Sequence, residues 1–177
     1  MENPMPDATL MNLDNLKISR DLLLQFFLVF SRFEYALKNS GFVQAGQSRK
    51  NETAPSAEPN WNAFARSIAN LFTKGHNTDL NQACEYFLTN PPMRQVLINS
   101  NVMWDTTEPD LSLGETERLL LLVRRVRNNL FHGGKFSNEA FEDTDRQERL
   151  LKGSLLVFKE CLRVSPRVNN AFDSAII

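Results

Sequence analysis

The segment from Ser112 to Gly134 constrains the fold more than any other part of the chain. Leu119, Leu120, Val123, Val126 and Leu130 recur at helical spacing and predict one long helix with a buried stripe. Ser112 and Glu115 are placed as a capping box at its start. Gly133 and Gly134 close it, where a left-handed residue costs glycine least. Residues four apart on a helix share a face, so Arg124, Asn128 and His132 form a polar ridge beside the stripe. Arg127, five residues before His132, is rotated well away from that ridge. Its long side chain, an unwinding at the glycines or a pair of facing helices would bring the two together.

The rest of the chain also reads as helices. Residues 1–18 carry Pro4 and Pro6 with little periodicity and read as a mobile N-terminal arm. Ser19 is a candidate N-cap for a helix through Asn39, with Gly41 as its stop. Phe26, Phe30, Phe33 and Leu37 make one stripe, and Leu23, Leu24, Phe27 and Leu28 widen it, which predicts burial on most sides, either as the central helix of the bundle or as part of a dimer interface. Glu34 interrupts that surface. It is either an exposed residue on a polar strip with Ser31 and Lys38, or a carboxylate that orients Arg127 or Arg124.

Residues 44–59 are polar, with Pro55 and Pro59, and read as a long surface loop. Asn60 can cap a second helix carrying Trp61, Phe64, Ile68, Leu71 and Phe72 and ending at Gly75, with His76 just beyond on a surface loop. A third helix begins at Thr78 or Asp79 and turns Leu80, Ala83, Cys84, Phe87 and Leu88 inward. Met93, Val96 and Leu97 suggest a brief helix after Pro91 and Pro92. Residues 99–110 read as a turn-rich connection that tucks Met103 and Trp104 against the body. Thr144 and Gln147 form a second candidate capping box. The last long helix carries Leu151, Leu155, Phe158 and Leu162 on one stripe and stops at Pro166, leaving a tail that is either loosely held or docked through Phe172, Ile176 and Ile177. No stretch alternates convincingly as a strand. The expected fold is all-α: one domain, an up-and-down helical bundle of four to five main helices with short extra helices.

Length and composition fit that expectation. The chain has 177 residues, 42% hydrophobic and 23% charged, with thirteen Phe to fill a core. Net charge is -1, so no global field draws nucleic acid, and any contact with it must be local. Residues 115–135 supply such a patch, with a local excess of +3. Cys84 and Cys161 fall on apolar helix faces and read as buried free thiols. No secretory signal is read at the N-terminus, and the apolar run Leu22–Phe30 is too short to span a bilayer. The expected protein is soluble and cytoplasmic. A metal hydrolase is disfavoured, since there is no His-x-x-x-His, no paired Cys and no Asp cluster on one helical face. Gly133-Gly134 ends a helix, whereas phosphate-binding loops begin one.

Arg127-Asn128-Asn129-Leu130-Phe131-His132 resembles the signature of the HEPN superfamily, and Leu28–Lys38 looks like the first helix of stand-alone bacterial members. The resemblance implies an all-helical domain whose motif sits on a late helix. Many members are metal-independent RNases of toxin–antitoxin or phage-defence systems, and active ones usually form homodimers with facing motifs. Cleavage through the RNA 2′-hydroxyl needs a base, an acid and positive charge near phosphorus. Histidine suits both proton steps, and arginine suits the phosphate. The residues expected to carry this are Arg127 and His132 as catalytic groups, supported by Asn128, Arg124, Glu34 and Lys135. No cofactor or metal is expected. The expected partners are an RNA substrate, a second copy of the chain, and an antitoxin or other regulatory protein. The alternative is a non-catalytic HEPN module that binds RNA, a nucleotide or a protein through the same basic helix end.

Overall fold

The structure, a computed structural model, describes residues 17–47, 53–73, 75, 77–131 and 143–174. The chain is mostly helical, but two small antiparallel sheets correct the all-α expectation. The order is α1 (Arg20–Asn39), β1 (Val43–Ala45), β2 (Ala57–Pro59), α2 (Trp61–Ile68), α3 (Thr78–Thr89), β3 (Arg94–Ile98), β4 (Asn101–Asp105), α4 (Glu115–Phe131), α5 (Thr144–Val164) and α6 (Pro166–Asp173).

Helix α1 begins and ends where local chemistry dictates. The Ser19 side chain accepts a hydrogen bond from the Leu22 N–H. At the other end Gly41 takes φ +83°, the Phe42 N–H donates to Leu37 O at 2.9 Å, and the Gly41 N–H donates to Lys38 O at 3.4 Å. That is the paired-carbonyl stop which glycine makes without strain. The stripe Phe26, Phe30, Phe33 and Leu37 is buried as expected. The wider flank is not: within one copy of the chain Leu24 and Phe27 lie exposed, so α1 is buried along one face and is not the enclosed central helix of the bundle.

The core gathers around Phe33. Its ring stacks on Trp61 at 5.6 Å and lies 4.5 Å from Phe158, joining α1, α2 and α5. Phe64 meets it edge-on at 5.6 Å. Burying each such ring contributes about 1.5–3 kcal/mol relative to leaving it exposed. Helices α3 and α5 approach closely at Gly153, where an added Cβ would lie 3.1 Å from the Phe87 ring. Both cysteines are free and buried, as read from the sequence.

Three caps differ from the sequence reading. Helix α4 starts at Glu115, and Glu117 reaches back to the Gly114 N–H at 3.2 Å. Ser112 instead donates its N–H to Asp110 Oδ1 in the preceding turn. Asp143, not Thr144, caps α5 by accepting from the Arg146 N–H. Asn77 caps α3 the same way. Pro166 does stop α5, but it also opens α6 at the position where a missing N–H costs nothing. Of the two readings of the tail, residues 166–174 take the docked one: Phe172 packs against the core, Arg32 of α1 donates to the carbonyls of Phe172 and Asp173, and Val168 is buried. Residues 175–177 lie outside the described set.

The sheets replace two stretches read otherwise. The ends of the polar segment 44–59 pair as β1 and β2, with Gln44 opposite Glu58. The stretch read as a brief helix and a turn-rich connection is the hairpin β3–β4. Asn99 and Ser100 form its two-residue turn with φ 49° and 63°, the mirror-image geometry that suits strand twist. Met103 is half exposed rather than tucked in, and Leu97 and Val102 near the tip are 73% and 65% exposed. Arg94 and Asp105 pair at 2.7 Å across the base. Among the described residues, no helix is long and apolar enough to cross a membrane.

Candidate functional site

The C-terminal half of α4 presents Arg124, Arg127, Asn128 and Phe131. Its apolar stripe, Leu119, Leu120, Leu122, Val123 and Val126, is buried and fixes the helix rotation. Two hydrogen bonds tie α4 to the hairpin region. The Asn129 amide donates to Met93 O at 2.8 Å, and Arg125 donates to Thr107 O at 3.1 Å. Arg125 and Asn129 are four residues apart and share a face, so one side of this helix end is held against the base of the hairpin.

Arg127 is half-buried. Its guanidinium lies 4.9 Å from the Phe131 ring centre and 5.6 Å from that of Phe30. Its Nη1 donates to Asn128 Oδ1 at 3.1 Å. A guanidinium over ring faces is attracted by their negative quadrupole, which orients it without consuming its charge. Arg124 lies 5.8 Å from the Trp61 ring centre. Burial pushes its pKa below the ordinary arginine value, Glu34 and Glu58 push it back up, and Arg127 adds to the lowering. The group stays charged, since arginine does not deprotonate in proteins.

Arg124, Arg127 and Asn128 stand together on one helix end, and Glu34 of α1 acts on Arg124 through space. Arg127 is not isolated from the ridge, because its side chain reaches Asn128 directly. His132 and Lys135 lie outside the described residues, as do Gly133, Gly134 and His76. The sequence reading missed Glu58, which β2 carries toward Arg124, and the three rings that face the guanidiniums. Phe131 was findable, because it stands four residues after Arg127. Trp61 and Glu58 come from other elements and left no local signal.

A groove of about 480 Å³ runs between α3 and α5 past Asp79, Glu148, Arg149 and Lys152, and contains none of the motif residues. Among the described residues no group of three or more His, Cys, Asp or Glu stands close enough to hold a metal ion. No family model, curated protein or solved structure matches this chain.

Proposed function

We propose that this chain is a metal-independent endoribonuclease of the HEPN type, built on an up-and-down helical bundle, acting in the cytoplasm as a toxin or in phage defence. The observation that carries the reading is Arg127. Its cation stands at the end of α4, oriented by Phe30, Phe131 and Asn128, and no carboxylate within 4 Å of it neutralises it among the described residues. Five residues further along the sequence comes His132. A fixed guanidinium can hold two phosphate oxygens through parallel hydrogen bonds.

The reaction follows from that pairing. An imidazole takes the proton of the 2′-hydroxyl, whose oxygen attacks phosphorus. The bond to the 5′-oxygen breaks, and a second imidazole returns a proton to that leaving group. The products are a 2′,3′-cyclic phosphate and a free 5′-hydroxyl. The chain has one histidine in the motif, so two copies facing each other supply the base and the acid. Arg127 stabilises the charge that builds on phosphorus, with Arg124 as an outer phosphate contact whose charge Glu34 favours through space, and Asn128 and Lys135 supporting.

The test is RNA cleavage in excess EDTA by wild type and by His132→Ala. The expected loss is on the order of 10²–10⁴-fold in rate. Equal rates for the two remove His132 from the mechanism. RNA binding with no turnover in wild type would favour the non-catalytic module instead. Toxicity on expression that His132→Ala relieves would support the toxin role and the need for an antitoxin.

A further inference from the structure

Phe27 of α1 and Phe131 of α4 meet at the surface. They are 42% and 47% exposed, their ring centres are 5.4 Å apart and their planes are inclined by 35°. Two large rings from separate helices, both left open to solvent, form a continuous aromatic patch beside Arg127, whose guanidinium is 4.9 Å from the Phe131 ring centre.

The charge beside the rings selects the occupant. An apolar protein face would cover the rings but would strip water from Arg127 without supplying an anion, and an uncompensated buried charge is costly. A nucleotide offers both groups at once: a flat π face for the rings and a phosphate for the cation. A base-paired duplex hides its base faces within its own stack, whereas an unpaired base can lie on an aromatic side chain. We infer that Phe27 and Phe131 form a stacking platform for an unpaired nucleobase next to the phosphate held by Arg127, so that the site takes single-stranded RNA. This deepens the ribonuclease reading and rests on it for the identity of the ligand as RNA.

The experiment uses a fluorescein-labelled 2′-O-methyl oligonucleotide, which lacks the attacking hydroxyl and is not consumed. Its binding is read by anisotropy, beside cleavage of the matching unmodified RNA and sedimentation of each protein. Phe27→Leu and Phe131→Leu keep apolar bulk but remove the π face, and Phe27→Tyr keeps the face. Each Leu variant is expected to lose on the order of 5- to 100-fold in affinity for the single strand. Phe27→Tyr is expected to bind as wild type, and all three to sediment as wild type. A blunt duplex of the same sequence is expected to bind more weakly and to be indifferent to the Leu changes.

Wild-type affinity in both Leu variants overturns the platform. So does a Phe27→Glu variant that changes the sedimenting species while Phe27→Leu still binds RNA normally, since the rings would then be a contact between copies. Wild-type protein that binds the modified strand through these rings but leaves RNA intact defeats the ribonuclease reading and keeps the platform. Leu variants that cleave with wild-type kcat/KM do the reverse.

Discussion

The guanidinium of Arg127 lies 4.9 Å from the ring centre of Phe131, one helical turn further along α4. The contact fixes a cation at a helix end by π attraction rather than by a carboxylate, so its charge stays available to a ligand.

Arg127 is therefore the position where charge and shape can be tested apart. Arg127→Ala is expected to lower RNA cleavage on the order of 10²–10³-fold, the scale for losing one preorganised donor to transition-state charge. Arg127→Lys keeps the charge but loses the planar fork and should fall between. Single-turnover assays with far-ultraviolet circular dichroism as a folding control measure this. Full activity in Arg127→Ala would exclude the residue from the chemistry.

Phe33 is fully buried and touches Trp61, Phe64 and Phe158. Phe33→Ala leaves a cavity at the junction of α1, α2 and α5 and is expected to cost about 3–5 kcal/mol. Guanidinium chloride unfolding followed by tryptophan fluorescence gives the value. A cost under about 1 kcal/mol would mean that the three helices do not share this core.

Gly153 tests the approach of α3 to α5. A Cβ there would stand 3.1 Å from Phe87 Cε2 and 3.3 Å from Ala83 Cβ. Gly153→Val adds two further methyl groups and is expected to destabilise by about 1–3 kcal/mol, despite removing a helix-weakening glycine. A raised melting temperature would contradict the close packing.

The base of the β3–β4 hairpin should respond to acid. The Thr107 hydroxyl and N–H, with the Arg94 guanidinium, lower the Asp105 carboxyl from 3.8 to about 2. A depressed carboxylate contributes stability that is present in full above its ordinary value and is lost as pH falls through the lowered one. Exchange of the Thr107 amide is expected to quicken from about pH 4 down to about pH 2, beyond its intrinsic pH trend. An Asp105 carboxyl titrating near 3.8 by NMR would show that the three contacts do not persist in solution.

Burial also governs the thiols. Cys84 and Cys161 are fully buried, and burial pushes the Cys161 thiol well above its usual range. Thiolate is the reactive form, so iodoacetamide at pH 8 should label neither residue in the native protein and both after unfolding. Fast native labelling of Cys161 would show that the α5 face opens.

Much of the helical framework was legible because its signals are local. Ser19 and Asn60 cap helices through their own side chains, Gly41 stops α1, and Phe26, Phe30, Phe33 and Leu37 repeat on one face. The hairpin was not legible. Val96, Leu97 and Ile98 form a short apolar run that fits either period, and Asn99-Ser100 lacks the glycine that usually marks such a turn. The caps of α4 and α5 were displaced by one or two residues because several acidic and hydroxyl side chains compete at each helix start.

Along the chain alone, the order of residues determined which helices form, which face of each is apolar, and that Arg124, Arg127 and Asn128 fall on one helix end. Those outcomes depend on contacts between residues three or four apart. Only the tertiary structure decided what that end faces. Trp61 of α2 faces Arg124, Glu58 of β2 acts on it through space, and Phe27 of α1 meets Phe131. Such meetings depend on how separate elements pack, which no local spacing encodes.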